Sequence, residues 1–419
     1  MLLRYRFRIY PTLPQRAGLA RSFGCARVVF NDAVAARNAA FAAGEAFPST
    51  AILSKRLITE AKRTPERAWL SEVSSVVLQQ ALADCDRAYK NFFDSLKGKR
   101  GGARMGPPRF RRRTAAQSIR FTRNACFRVL GNGRLRLPKI GDLRVAWSRE
   151  LPSEPTSVTV IKSATGKYYA SFVVSLDSGE MMPSVESEAG IDLGLKDFAV
   201  LSSGKVIENP RFFRRMERKL AKAQRALSRK NKGSANWAKT RLVVAKAHEK
   251  TRNRRDDWIN QQVATLVREN QALYVEDLSV RGLARGRASK SIHDAALGMF
   301  ANRLESKAAR AGRTFVRVAR WFPSTRLCSA CGVLDGPKGP EGLGVREWRC
   351  GCGAVHDRDR NAADNILLEG RRLVAAGQAE TRNASGGQVR PGAPGAARNS
   401  RNAGLNEEPT RTRLVSPSR

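Results

Sequence analysis

The spacing of apolar residues predicts a short strand from Leu3 to Tyr10, ended by Pro11, and then a helix in which Leu19, Phe23, Ala26, Phe30 and Ala33 recur at helical intervals. Leu78, Leu82, Cys85, Tyr89, Phe92 and Leu96 repeat that interval up to Gly98, so the first 100 residues read as mostly helical. From Gly101 the texture changes to Gly, Pro and Arg (GGARMGPPRFRRR), and alternating runs follow: Ser118 to Phe121, Leu143 to Trp147 and Tyr168 to Val174. These turn-bounded strands suggest a small β-barrel or sheet with a basic rim, which can pair with the N-terminal strand if the helices are inserted between them.

A polar linker, SGEMMPSVESEAG, leads to Gly190-Ile191-Asp192-Leu193-Gly194, a strand from Phe198 to Leu201, a Ser-Ser-Gly turn and the strand Lys205 to Ile207. Two hairpins therefore start a new domain. The basic stretch from Arg211 to about Asp257, with Met216, Leu220, Ala223 and Leu227 on one stripe and a break near 233–236, reads as a helical hairpin. Helix (Trp258 to about Glu269), strand (Leu273 to Glu276), helix (about Ala295 to Gly312), strand (Phe315 to Val318), a cysteine segment and a last helix (about Asn361 to Ala375) follow. That alternation implies an α/β sheet domain. Beyond about Gly377 almost no apolar residue remains, and a disordered tail is expected.

Charge narrows the partners. Among 419 residues, Lys plus Arg number 77 against 37 Asp plus Glu, a formal net charge of +40. A polyanion is the economical explanation. No apolar run is long enough to span a bilayer and no signal-peptide core follows Met1-Leu2-Leu3-Arg4, which favours nucleic acid in the cytoplasm over a membrane surface. Basic residues crowd Arg109 to Arg113, Arg211 to Arg229 and Lys250 to Arg255, with Phe110, Phe121, Phe212, Phe213 and Trp237 among them, a mixture suited to phosphate contacts and base stacking. The sequence has no recognisable base-reading helix motif and carries no signal for an oligomeric state.

Four of the seven cysteines, Cys328, Cys331, Cys350 and Cys352, cluster late in the chain and match one tetrahedral structural Zn²⁺. The second pair is C-x-C instead of C-x₂-C, so His356 is an alternative to one of its thiolates. Cys25, Cys85 and Cys126 stand alone and read as small buried hydrophobes. Three acids occupy places where the apolar pattern does not call for them: Asp192 in GIDLG, Glu276 closing LYVED, and Asp359 in HDRDRNAADNIL. Singly, each has a plain structural reading, as a turn residue, a solvated strand end and the N-cap of the last helix. Together they are converging carboxylates of the kind that bind Mg²⁺ or Mn²⁺, and two such ions about 4 Å apart can hydrolyse a phosphodiester.

The stretches RFRIYPTLPQ, FGCARVVFND, GPPRFRRR, LPKIGDLRV, GIDLGLKDFAVLSSG, LYVEDLSVRGL, WFPSTRLCSACG and CGAVHDRDRNAADNIL resemble the TnpB or OrfB proteins of insertion sequences, relatives of type V CRISPR nucleases, over roughly residues 1–375. The resemblance implies a multidomain α+β and α/β fold. A wedge-type β-barrel (about 1–12 and 101–180) with an inserted helical recognition lobe (13–100) would fill residues 1–185. An RNase H-like RuvC domain would span 186–375, with a basic helical hairpin (211–257) and a zinc ribbon (324–356), before a disordered tail at 376–419. It further implies that Asp192, Glu276 and Asp359 are the metal-binding catalytic triad, with Asp357 a neighbour. The implied activity is RNA-guided cleavage of double-stranded target DNA, with a guide RNA transcribed from the transposon end. Two alternatives remain at this point, a nuclease-inactive RNA-guided regulator and a conventional RNase H-like transposase; the intact acids disfavour the first and the ribbon before the third acid disfavours the second.

Overall fold

The computed structural model describes residues 2–383 apart from 115, 177–180, 287 and 339–340. Strand β1 (Leu2–Tyr10) turns Phe7 and Ile9 inward and leads into α1 (Leu13–Ala42), where the Gln15 side chain accepts a hydrogen bond from the Thr12 amide at 3.0 Å and caps the first turn. The predicted stripe of Leu19, Phe23, Ala26, Phe30 and Ala33 is buried. After α2 (Thr50–Ser54), α3 (Ser75–Leu96) buries Leu78, Leu82, Cys85 and Tyr89 against it.

Six further strands follow: β2 (Gln117–Thr122), β3 (Arg128–Val129), β4 (Arg134–Leu137), β5 (Gly141–Ala146), β6 (Pro155–Lys162) and β7 (Tyr168–Ser175). They form one antiparallel sheet with β1, ordered β2-β6-β7-β1-β5-β4-β3. Strand β1 lies in its middle, with Phe7 opposite Ala170 of β7 and Ile9 opposite Val145 of β5, so α1 to α3 enter between two strands of the same sheet. The edge strands β2 and β3 do not pair among the described residues, and the sheet is a half-barrel where the sequence suggested a barrel. Strand β3 is two residues long and so presents too little ladder to close it. Cys126, just before it, is exposed and takes a left-handed conformation (φ 54°), which corrects its reading as a buried hydrophobe; Cys25 and Cys85 are buried.

The second sheet comprises β8 (Glu188–Leu193), β9 (Asp197–Leu201), β10 (Val206–Glu208), β11 (Ala272–Glu276) and β12 (Thr314–Val318), in the order β10-β9-β8-β11-β12. The first three are antiparallel, and β11 runs parallel to both β8 and β12. Between β10 and β11 come α4 (Phe212–Ser228) and α5 (Ala235–Glu269), joined by a turn in which Gly233 has φ +96° and Ser234 caps α5 by accepting from the Trp237 amide. The sequence divides this region at Asp257, but α5 is one helix. Its burial changes there, from isolated residues such as Glu249 and Thr251 to the dense set Ile259, Val263, Leu266 and Val267 on the sheet. The helix changes what it packs against without ending.

Helices α6 (Val280–Leu283), α7 (Ser289–Ala295) and α8 (Leu297–Arg310) lead to β12; then β13 (Glu347–Arg349) and β14 (Val355–Asp357) form a small hairpin before α9 (Arg358–Asn383). The last helix begins at Arg358, not Asn361, because Asp357 caps it by accepting from the Arg360 amide at 2.8 Å. It continues to Asn383, where a tail was expected from 376; the remainder of that expectation, 384–419, lies outside the described residues. Up to Gly370 the chain forms one compact unit in which each of the two large sheets has its own apolar core, and residues from Arg371 belong to a second unit.

Candidate carboxylate site, cysteine cluster and basic cleft

Strands β8 and β11 pair with Ile191 opposite Val275, so one step further Asp192 stands beside Glu276 at the carboxyl ends of two parallel strands. The third acid arrives on α9. A Cβ at Gly190 would collide with the backbone of Ala363 and Leu367, and one at Gly370 with the ring of Tyr274 on β11. These two glycines let α9 lie directly on β8 and β11, which carries Asp359, in its first turn, to the ends of the strands. Replacing Gly190 by Ala is expected to destabilise the fold by about 3 kcal/mol, the upper end for an overpacked site, since neither backbone can yield cheaply; an unchanged thermal midpoint would contradict this packing.

Burial, then the charges of Asp359 and Glu276, push the Asp192 carboxyl up to about 7, against the opposing pull of Arg358 and Arg346. Burial, with Asp277 beside it, also raises Glu276. Asp359 accepts an ion-pair hydrogen bond from Arg346 at 2.7 Å. Asp357, engaged in capping α9, leaves the N-cap reading of Asp359 without support. Arg346 was not singled out in the sequence; nothing distinguishes it there from many other arginines.

The four late cysteines meet. Their sulfurs all lie within 4.8 Å of one another, with Cys328 to Cys352 at 3.8 Å and Cys331 to Cys350 at 3.6 Å. Four thiolates at about 2.3 Å from a tetrahedral Zn²⁺ would stand roughly 3.8 Å apart, so the set fits one ion. His356 Nε2 lies 3.0 Å from Cys328 Sγ, while its ring packs on Trp348 with centroids 4.7 Å apart. Burial raises Cys328, but the amides of Cys331 and Ala330 together with His356 outweigh it and bring the thiol down to about 6. Cys350 goes the other way: the Cys352 amide lowers it, yet burial and the neighbouring thiols win and push it up to about 12. A dication would relieve that crowding. The cluster is fastened to α9, because the Asn361 and Asn365 side-chain amides donate to the Leu327 carbonyl at 2.7 and 2.6 Å.

A cleft of about 1480 Å³ opens between the half-barrel and α5, with Arg6, Arg27, Arg113, Lys162, Arg241 and Arg252 on its walls. Its walls are tied together by Glu249, 8% exposed, which accepts from Lys167 at 2.8 Å and Thr165 at 3.0 Å on the hairpin joining β6 to β7. Of the aromatics expected to stack on bases, Phe213 lines this cleft and Phe110 is exposed. Phe121 is fully buried in the half-barrel core and Phe212 packs on Trp258, so both are structural. No described helix is long and apolar enough to cross a membrane.

Residues 171–287 match the family described as “Probable transposase”, 298–366 that described as “Cas12f1-like, TNB domain”, and 1–46 that described as “Helix-turn-helix domain”. A Streptomyces pristinaespiralis protein named “Putative RNA-guided DNA endonuclease” is 43% identical over 378 residues, which cover 89% of this chain and 90% of that one. The chain belongs to the TnpB/OrfB family of insertion-sequence proteins. A second TnpB/OrfB relative, “Putative RNA-guided DNA endonuclease InsQ” of Escherichia coli K12, is 31% identical over 89% of this chain and 94% of its own. The TnpB/OrfB fold extends to a solved structure described as “Cryo-EM structure of the Cas12f1-sgRNA-target DNA complex”, with a TM-score of 0.51 at 13% identity over 84% of this chain and 83% of that one. In this TnpB/OrfB chain the helix-turn-helix match covers β1 and the single long helix α1, not two helices about a turn.

Proposed function

We propose that the chain is an RNA-guided, divalent-metal-dependent endonuclease of a transposable element that hydrolyses phosphodiester bonds of target DNA in an RNase H-like domain of RuvC type. The observation that carries this reading is the placement of the acids: Asp192 and Glu276 end two paired parallel strands, and α9, laid on those strands at Gly190 and Gly370, brings Asp359 in its first turn. Carboxylates crowded this way, with no catalytic nucleophile or histidine needed beside them, suit hard divalent cations. Mg²⁺ or Mn²⁺ held there would activate a water and stabilise the leaving 3′-oxygen. Asp192, Glu276 and Asp359 would be its ligands, and Arg346, which pairs with Asp359, would place a positive charge beside the scissile phosphate.

The cysteine set would hold one structural Zn²⁺ in a ribbon between β12 and α9. The basic cleft would take guide RNA and its heteroduplex with one strand of double-stranded target DNA, by backbone charge and A-form shape, leaving sequence to base pairing. The strand-plus-helix form of residues 1–46 agrees with that division of labour, as does the naming of the relatives.

The test is to purify the protein with its RNA, replace the guide segment, and supply a plasmid carrying the new match beside the native flanking motif. Cutting is expected at the new sequence, only with Mg²⁺ or Mn²⁺, and to weaken steeply as salt rises. Cutting that stays at the old sequence, or survives digestion of the RNA, would favour a protein-specified nuclease.

A further inference from the structure

Trp321 is 89% exposed, more than any other large apolar side chain among the described residues. Its loop is nevertheless tied at both ends to the elements that carry the carboxylates. On one side, β12 ends at Val318, which is paired with Glu276, and Val318 accepts a hydrogen bond from the Asp277 amide at 3.0 Å. Arg320 then clasps Asp277, the residue after Glu276, through the carboxylate at 2.6 Å and the carbonyl at 3.2 Å. On the other side, the buried Ser324 carbonyl accepts from Asn365 at 2.8 Å, and Asn361 and Asn365 both donate to Leu327; these asparagines lie on α9 just beyond Asp359. Trp321 therefore stands on a short, pinned bridge between the Glu276 and Asp359 elements. Three residues of chain from Val318 can reach no more than roughly 11 Å, which keeps its Cα within about 16 Å of Glu276.

We propose that Trp321 is a stacking platform for an unpaired base of the DNA strand being cut, and that it aligns that strand with the carboxylates. The proposal rests on the nuclease reading given above. An indole this bare buries almost nothing, and the chain on either side of it is tied down by the bonds of Arg320 and Ser324. Apolar rings held rigidly in solvent within a strongly cationic protein are what a nucleobase face recognises, because every base offers a π-surface whatever its identity. The neighbouring acids account for the rest of the arrangement: a strand repelled by carboxylates before a cation is bound needs a contact that does not depend on charge. Arg320 cannot supply one by ion pairing, being already engaged by Asp277. As a positioning residue, Trp321 would act on the strand and not on the reacting atoms.

The experiment uses the full protein–RNA complex and two variants, Trp321→Ala and Trp321→Phe, both at a position exposed enough to leave folding unchanged. A single-stranded oligodeoxynucleotide carrying 5-iodouracil is photocrosslinked to the complex in EDTA, and the adduct is mapped by mass spectrometry. A crosslink at residue 321 is expected; crosslinks confined to other residues overturn the proposal. In guided cleavage, Trp321→Ala should slow cutting by about 5- to 150-fold, the loss of one base stack, with duplex target binding unchanged, and Trp321→Phe should recover most of it. Cleavage by Trp321→Ala at the wild-type rate also overturns it. If the wild-type complex cuts no DNA, the nuclease reading fails, and the crosslink map, which requires no cutting, still decides the role of Trp321.

Discussion

Asparagine in place of Asp192 is expected to slow DNA cleavage by at least about a thousandfold and, in the same protein, to make the metal-free fold more stable. Both effects come from one cause. Burial and the charges of Asp359 and Glu276 raise the Asp192 carboxyl from 3.8 to about 7, so the fold resists its ionisation while the unfolded chain does not. As pH rises from about 4, the unfolded chain loses that proton first, and stability falls until the folded group has also ionised near 7. Asparagine has no proton to lose. Its advantage should therefore be absent below about pH 4, grow through the window from there to 7, and stay constant above, on the order of a few kcal/mol. Melting in EDTA at pH 4 and pH 8 measures it; the same difference between variant and wild type at both would sink the account. Added Mg²⁺ should restore stability to the wild type and not to the variant, because only the wild type binds it.

Loss of the zinc-type cluster should be the second large effect. Among the described residues the ribbon's apolar cluster is only Cys328, Trp348 and Cys350, with Ala354 against them, so its folding energy should come largely from the ion, on the order of 10 kcal/mol for small structural zinc sites. Cys350→Ser is expected to release the metal, which metal analysis should find at one zinc per chain in the wild type, and to melt the ribbon well below the half-barrel, whose core is separate. Cleavage should fall too, because the ribbon supplies Arg346 to Asp359 and is bolted to α9 by Asn361 and Asn365. Retention of zinc by Cys350→Ser would refute the four-thiolate set. A Cys352→Ser protein that keeps its zinc while His356→Ala loses it would show that the histidine is the fourth ligand.

Much of this was legible in one sequence because the signals are local. Amphipathic stripes such as Leu19 to Ala33 report their own buried face, and GIDLG, LYVED and the paired cysteines each mark candidate chemistry within a few residues. What depended on distant partners was not. Whether β2 and β3 close a barrel is decided by strands far apart in the chain, and a dyad pattern is the same in either case. The apparent boundary at Asp257 reflects a change in what α5 packs on, which alters apolar density without altering the helix. Phe121 looked like a base-stacking ring because arginines surround it in sequence, whereas the sheet sends it to the core, and Arg120 beside it pairs with Asp84. Arg346 and Trp321 had no signal of their own; each gains meaning only from the acids that the fold brings near it.

The way α9 lies on β8 and β11 also sets an order in time. A ribosome makes the half-barrel first, then the sheet with Asp192 and Glu276, and only afterwards the ribbon and the helix bearing Asp359. Every strand of the half-barrel has been synthesised by Ser175, so its basic surface can fold while the chain is still being made. At about 5–20 residues per second, on the order of ten seconds or more separate that point from the arrival of α9. A nascent chain thus holds the half-barrel wall of the basic cleft before α5 supplies the opposite wall, and Asp359 is the last of the three acids to join it.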